Sequence, residues 1–167
     1  MRKISMLMVM LVIVVGLFGE WSIESTGNEM DGVVGHVAAS DKTPPTNVMQ
    51  FPYNIVWDRA NVSRRLDSGS IMVSLSFNLE NILGFEQVGD YLLGEIRVKW
   101  DNGKIETAQV WSHDQPELVI FSDTDAVLNK LKKSKSLLIE LEWYNEGEVY
   151  FRFDLTGAAA AIKKIGG

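Results

Sequence analysis

The stretch YLLGEIRVKWDNGKIETAQVW, residues 91 to 111, carries the pattern that decides the fold. In its first arm Ile96, Val98 and Trp100 alternate with charged residues, which is the period-two pattern of a strand with one buried and one wet face. The tripeptide Asp101-Asn102-Gly103 separates the two arms, and Asn-Gly supplies the positive φ angles that a tight turn needs. The stretch therefore predicts an antiparallel hairpin over residues 91–100 and 104–111.

The sequence on either side of this hairpin predicts further strands. Ile71, Val73, Leu75 and Phe77 alternate with Met72, Ser74 and Ser76 on the other face, and a second hairpin surrounds Asn145-Glu146-Gly147. Residues 58–69 are polar and are expected to form a connection. The predicted strands are 53–57, 70–78, 91–100, 104–111, 118–121, 137–143 and 148–153.

Two short helices complete the predicted fold. Acidic residues before residue 126 and lysines near residue 133 complement a helix dipole, which predicts a helix over 124–133. A second helix is expected over 156–165, capped by Asp154 or Thr156. The fold class that follows is mainly β: an antiparallel β-sandwich or a bent sheet of about seven strands with two short helices.

The N-terminus is typical of an exported chain. Arg2 and Lys3 precede sixteen uncharged residues, ISMLMVMLVIVVGLFG at 4–19. Residues 1–19 are therefore predicted to be a signal peptide or a membrane anchor, with the rest of the chain in the periplasm or otherwise outside the cytoplasm. Sixteen residues span about 24 Å as a helix, short of a full membrane crossing. Because no pair of small residues marks a cleavage site either, cleavage and anchoring both stay open.

The domain organisation and the charge follow from the remaining composition. Residues 20–50 are rich in Ser, Thr, Gly and Asn and predict a flexible linker, while residues 51–167 predict a single β-rich globular domain. Without the first nineteen residues, 14 basic residues face 22 acidic ones. This acidic surface argues against nucleic acid as a partner. The chain has no cysteine, which excludes disulfides, thiolate metal sites and thiol nucleophiles.

The histidines and the paired aspartates are candidates for catalysis or metal binding. His36 lies in the predicted linker, and His113 is followed by Asp114, but no serine elbow or second histidine accompanies this pair. Asp123 and Asp125 imitate a D-x-D cation motif, yet their place before a helix predicts capping instead. No catalytic, metal or cofactor-binding residue is predicted.

Carboxylates, lysines and tryptophans are the other candidates. Glu140 and Glu142 on one strand and Glu106 on another could form a carboxylate pair of the kind that glycosidases use, although a solvated face is expected. The lysine cluster at 130, 132, 133 and 135 predicts a solubilising helix end, with an anionic lipid or acidic partner as the alternative. Core packing is expected for most of the tryptophans near strand ends, and an exposed binding surface is the alternative. These tryptophans are Trp57, Trp100, Trp111 and Trp143.

The last seventy residues carry a set of short motifs in a distinctive order. Val110-Trp111-Ser112 follows the first hairpin, Ile120-Phe121 precedes the helix, and Phe153-Asp154-Leu155-Thr156-Gly157 leads into the last helix. In these motifs the chain resembles the accessory proteins of bacterial type VI secretion, of the TagO or VasI type. That family tends to carry paired cysteines, which this chain lacks. The resemblance implies an envelope accessory role and assigns no catalytic residue.

The function expected from the sequence is therefore that of an extracytoplasmic, non-enzymatic accessory or binding protein of the bacterial envelope, and the resemblance implies an association with secretion. Its expected partner is an envelope protein, with contact to the membrane through residues 4–19 if these are not cleaved. Two other functions stay open: an envelope hydrolase that uses carboxylates of the sheet face, and a phage-type immunity or exclusion membrane protein.

Overall fold

The computed structural model describes residues 21–28, 32–79, 81–113 and 117–167. The predicted signal peptide or membrane anchor at 1–19 lies outside the described residues. The strands of the described part are β1 (Ser22–Asn28), β2 (Gly32–Ala39), β3 (Asp58–Arg65), β4 (Ile71–Phe77), β5 (Phe85–Val88), β6 (Tyr91–Trp100), β7 (Ile105–His113), β8 (Leu118–Phe121), β9 (Ser136–Trp143) and β10 (Gly147–Asp154). The helices are α1 (Thr124–Lys133) and α2 (Ala158–Lys164), with a 3-10 turn at Tyr53–Ile55.

All ten described strands belong to one antiparallel sheet, in the order β1-β2-β3-β4-β8-β7-β6-β9-β10. The short strand β5 pairs with residues 91–94 of β6, and β9 pairs with residues 97–100 of the same edge. The prediction of a mainly β, antiparallel fold is confirmed. The strand number differs, since ten strands in a single sheet replace the expected seven or so.

The sheet curves around its core, and one connecting segment shows this directly. After β2 the chain pairs Thr43 with Asp58 of β3 and Pro45 with Phe151 of β10. The amide of Thr46 also donates to the carbonyl of Tyr150 at 2.7 Å. Because β3 and β10 lie far apart in the strand order, a single segment can reach both only if the sheet bends. The expected bent sheet describes this arrangement better than two separate packed sheets do.

The expectation of a flexible linker at 20–50 is wrong for two parts of it, because 22–28 and 32–39 form β1 and β2. The two strands pair from Ser22 opposite Ala39 onward, and β2 pairs in turn with β3. Even Trp21 packs against the core and donates its indole N–H to the carbonyl of Asp154 at 3.4 Å. Hydrophobic periodicity does not reveal β1, because this edge strand covers no core and its side chains stay largely exposed.

Two predictions between residues 53 and 69 are also wrong. Residues 53–57 were expected to form a strand, but Tyr53–Ile55 is a turn of 3-10 helix. Residues 58–69 were expected to form a polar connection, but Asp58–Arg65 is strand β3. The inward side chains of β3 are Asp58, Ala60 and Val62. A strand that buries a carboxylate and an alanine shows too little apolar alternation to be recognised.

Both predicted hairpins are confirmed, with a difference at the first turn. Strands β6 and β7 pair without a register shift from Tyr91 opposite His113 to Lys99 opposite Ile105. The positive φ in the turn belongs to Asp101, at 50°, rather than to the Asn-Gly pair. The carboxylate of Asp101 accepts from the amides of Lys135 and Ser136 at 2.8 and 2.9 Å, which lowers the pKa of Asp101. This side chain therefore ties the hairpin turn to the start of β9.

The two helices close the core on the inner side of the sheet. Helix α1 occupies 124–133 as predicted, and Asp123 caps it by accepting from the amide of Ala126 at 3.0 Å. Helix α2 is shorter than the predicted 156–165 and begins after Gly157, whose φ is 89°; no side chain caps it. Asp154 instead accepts from the amide of Thr156 in the turn before it, at 2.8 Å.

An aromatic cluster forms the centre of the core. The ring of Trp143 lies 5.9 Å from that of Phe77 and 6.1 Å from that of Tyr53, and Phe151 lies 5.8 Å from Phe77, all measured between centroids. These pairs have the edge-to-face geometry that aromatic rings prefer. The core packing expected for Trp143 is thereby confirmed.

Candidate functional site

A cavity of about 940 Å³ lies between β7 and α1. Its floor consists of buried apolar side chains, Val98, Trp100, Phe121 and Val127. Its polar wall carries Glu106, Asp123, Asp125 and Lys130. We call this cavity the β7 groove. A volume of this size, with an apolar floor and a few polar groups, is that of a typical ligand site.

The groove exists because β7 loses its neighbour along part of its length. Strand β8 pairs with β7 only at Val110 and Trp111. One more hydrogen bond follows, from the amide of Ser122 to the carbonyl of Gln109 at 3.0 Å, and the chain then turns away into α1. Residues 105–108 of β7 consequently have no strand on this side among the described residues.

Charged groups meet above the floor of the groove. The ammonium of Lys130 forms an ion pair with Glu106 and lies 5.8 Å from the ring centre of Trp100. The expected role of Asp123 as a helix cap is confirmed by its hydrogen bond to Ala126. Asp125 lies in the first turn of α1. In the described part of the chain, no group of three or more His, Asp or Glu side chains could hold a metal ion.

The candidate Glu106 does not lie beside the candidates Glu140 and Glu142. Glu106 pairs with Val98, while Glu140 pairs with Arg97. Directly paired residues project to the same face of a sheet, and neighbours along a strand project to opposite faces. Glu106 therefore lies on the inner face with Val98, and Glu140 lies on the outer face with Arg97. These two carboxylates cannot flank one bond.

The outer-face glutamates take part in a separate polar network. Glu140 accepts from Arg97 at 2.6 Å, and Glu142 lies opposite Glu148. The hydroxyl of Tyr150 donates to Glu148 at 2.7 Å, and this hydrogen bond, with burial and the charge of Glu140, raises the pKa of Tyr150 to about 12. A smaller cavity of about 370 Å³ adjoins these groups.

Five large apolar side chains lie on the outer face of β5–β8. Val88 pairs with Tyr91, and Leu93 pairs with Trp111, so the four side chains share one face. Leu118 joins them, because Trp111 pairs with Ile120 two residues further along β8. We call Val88, Tyr91, Leu93, Trp111 and Leu118 the outer patch. The side chains of Val88, Tyr91 and Leu93 are 50%, 47% and 44% exposed, which is high for large apolar groups.

Aromatic contacts order the centre of the outer patch, and carboxylates surround it. Tyr91 meets Trp111 edge to face at 5.7 Å and His113 at 5.3 Å between ring centroids. Exposed acidic residues adjoin the patch by strand pairing or by sequence, namely Glu86, Asp90, Glu95 and Glu117. Among the described residues the nearest basic side chain of β6 is Arg97, which is paired with Glu140. The patch therefore has an apolar centre and a negative rim.

The histidines and tryptophans are distributed between the core and the surface. His36 lies on β2, where its Nδ1 is 3.3 Å from the hydroxyl of Ser25. His113 is exposed at the end of β7, and Asp114 lies outside the described residues. The expected core packing holds for Trp100 and Trp143, which are buried, whereas three indoles are half-buried, those of Trp21, Trp57 and Trp111.

Three surface or buried features of the structure were not predicted from the sequence. The outer patch depends on β5, which was not predicted. A second exposed apolar group, Val48, Phe51 and Ile55, lies in the predicted linker and first strand. The third is Asp58, whose carboxylate is fully buried and accepts no hydrogen bond of good geometry from the described residues. Burial, opposed only in part by the backbone amides of Arg59 and Ser76, raises the pKa of Asp58 well above its usual range.

Comparison with protein-family models, with curated proteins and with solved structures finds no match for this chain. The resemblance to type VI secretion accessory proteins accordingly stays a prediction. Within the described residues, none of the helices has both the length and the apolar character required to cross a bilayer.

Proposed function

We propose that this chain is a non-enzymatic binding protein of the bacterial envelope, acting outside the cytoplasm as an accessory or assembly factor. The observation that carries the proposal is the outer patch. Three of its large apolar side chains are about half exposed, and its aromatic centre is held by ring contacts. An exposed apolar surface with a polar rim marks a protein interaction site more often than a free surface.

The chemistry of the patch defines the partner. The rim is negative through Glu86, Glu95 and their neighbours, and the whole chain carries a net charge of −6. A partner surface with an apolar centre and a rim of Lys or Arg side chains would complement it. Such charges chiefly accelerate association and select the partner, while the buried aromatic centre supplies most of the affinity.

The location outside the cytoplasm rests on the sequence of the N-terminus. The sixteen apolar residues at 4–19 follow Arg2 and Lys3, which is the charge order of an export signal. A fusion of alkaline phosphatase to the C-terminus, which is active only after export, tests this part. We expect activity from the full-length fusion and none after deletion of 4–19. Equal activity from both fusions, or recovery of the intact chain from the cytosol, would contradict the location.

The partner is tested by crosslinking in cells. A photoreactive amino acid replaces Leu93 in the outer patch or, as a matched control, Leu66, which is 50% exposed in the turn between β3 and β4. We expect one discrete adduct from position 93 and none from position 66. Substitution of Glu86 and Glu95 by Lys in the same chain should reduce the adduct, because it reverses the charge of the rim.

Other outcomes of this experiment decide against the proposal. An adduct of equal yield from both positions would indicate collisional labelling. An adduct with the mass of two copies of the chain would identify a self-association surface instead of a docking surface for a partner.

The opposing proposal, an envelope hydrolase that uses sheet-face carboxylates, has weaker support. Its pair would need Glu106 beside Glu140 or Glu142, and these project from opposite faces of the sheet. Glu106 is also neutralised by Lys130, and Glu140 by Arg97. Hydrolysis of a cell-wall or glycan substrate that is lost in Glu106→Gln would nevertheless favour the hydrolase over the binding protein.

A further inference from the structure

The open edge of β7 presents backbone groups to the β7 groove. In an antiparallel strand, alternate residues direct their N–H and C=O groups to opposite neighbours. The carbonyl of Gln109 accepts from Ser122 and so faces away from β6. Ile105 and Thr107, four and two residues earlier, face the same way. Neither makes a backbone hydrogen bond on that side with the described residues.

This edge of β7 is regular and only partly covered. Proteins usually block an exposed edge with a proline, a bulge or a lysine. Residues 105–109 read Ile-Glu-Thr-Ala-Gln, and their pairing with β6 has no register shift. Residues 105–108, which have no strand on this side, form a regular edge about 14 Å long at the usual rise of a strand. Helix α1 lies beside the edge but leaves a volume of about 940 Å³ uncovered.

The floor and the wall of the groove select the side chains of a guest. Alternate residues of an added strand would project onto the apolar floor formed by Val98, Trp100 and Phe121. The wall carries three carboxylates, Glu106, Asp123 and Asp125, against one ammonium, that of Lys130. Lys130 shows how a cation is held here, between the Glu106 carboxylate and the face of Trp100.

We propose that the β7 groove binds an extended peptide segment, which adds to β7 as a further antiparallel or parallel strand. Main-chain hydrogen bonds to Ile105 and Thr107 supply affinity, and the floor and wall supply specificity. The peptide that fits carries apolar residues and a lysine or arginine at the same alternate positions, because only these positions face the apolar floor and Glu106 on the inner face of the sheet. This site lies at the open edge of β7 within the sheet, is separate from the outer patch, and does not depend on the proposed function of that patch.

The binding is measured with the full chain in a mild detergent. The probes are capped, fluorescent hexapeptides with Val, Leu or Phe at positions 1 and 5, Lys, Ser or Glu at position 3 of the same face, and Ser or Thr at the remaining positions. We expect the Lys peptides to bind, the Glu peptides to bind at least tenfold more weakly, and hydrogen exchange of residues 105–109 to slow in the complex. The same Lys peptide with N-methylated amides should bind at least tenfold more weakly, because it has lost its main-chain donors.

A matched pair of variants tests the edge itself. Thr107→Pro removes an N–H that faces the groove and is not used in the pairing with β6, whereas Thr107→Ala keeps it. We expect Thr107→Pro to weaken binding at least tenfold and Thr107→Ala to leave it within twofold. If Thr107→Pro fails to fold, the N-methylated peptide still decides the question with the unaltered chain.

Four results would overturn the proposal. The first is no binding of any Lys peptide at 1 mM, and the second is equal binding of the N-methylated peptide. The third is protection of the outer patch in place of residues 105–109. The fourth is a concentration-dependent dimer, abolished by Thr107→Pro, which would show that a second copy of the chain occupies the edge.

Discussion

The buried carboxyl group of Asp58 makes the stability of this domain depend on pH in an unusual direction. Asp58 begins β3, pairs with Phe77 and is fully buried. Burial raises its pKa well above the usual value of 3.8. We therefore expect the folded protein to keep this proton at a pH where the unfolded chain has lost it. Asp58→Asn preserves the shape of the side chain but removes the titration.

The sign and the size of this pH dependence of the free energy of unfolding follow from proton linkage. Below about pH 3.8 both states hold the proton, and Asp58 contributes no pH dependence. Above that pH the folded state binds one proton more than the unfolded state. The free energy of unfolding then falls by up to about 1.4 kcal/mol per pH unit until the pH reaches the folded pKa. Asp67 and Asp101, whose pKa values are lowered, act in the opposite direction, and the difference between wild type and Asp58→Asn isolates the contribution of Asp58.

The assay is urea unfolding of both proteins at several pH values between 4 and 8, followed by tryptophan fluorescence. Asp58→Asn should be the more stable protein at pH 7, and the gap should shrink as the pH falls to 4. Glu142→Gln, an exposed carboxylate on the outer face, serves as the control and should run parallel to the wild type. Parallel curves for Asp58→Asn and the wild type would refute the reasoning, since Asp58 would then be ionised in the folded state.

Three further predictions concern the fold. A chain that begins at residue 51 should show no cooperative unfolding by circular dichroism, because it lacks β1, β2 and the buried Met49; a stable truncated domain would restore the linker interpretation. Asp123→Ala should lower the free energy of unfolding by about 1 kcal/mol through loss of the α1 cap, and Asp125→Ala by clearly less, both measured in urea. Trp143→Ala should cost about 3–5 kcal/mol, the usual price of a large core truncation; a loss under 1 kcal/mol would place the indole outside the core.

The parts of the fold that the sequence predicts are those with strong local signals. Strand β6 alternates charged and apolar residues from Glu95 to Trp100, and α1 begins and ends with charges that fit its dipole. Strands β1 and β3 carry no such signal, because β1 is an exposed edge and β3 buries Asp58 and Ala60. Their place in the sheet is set by pairing with β2 and β4, which no short window of sequence contains.

The sites were harder to predict because they depend on register and on missing neighbours. Glu106 and Glu140 could be assigned to opposite faces only once β6 was known to pair with both β7 and β9. The β7 groove arises because β8 ends early, and the outer patch requires β5 beside Tyr91. The sequence identified several residues of the groove, Trp100, Glu106, Asp123 and Lys130, but not their convergence.

The affinity of this chain for its crosslinked partner tests most directly whether the outer patch docks a protein. The partner recovered by crosslinking at position 93 is purified, and its Kd is measured for the wild type, Leu93→Lys and the control Leu66→Lys. Leu93→Lys places a cation in the centre of the patch, facing a partner with a basic rim. A Kd at least tenfold higher for Leu93→Lys, or at least about 1.4 kcal/mol, with Leu66→Lys unchanged, is the predicted result. Equal Kd values for all three proteins would contradict it.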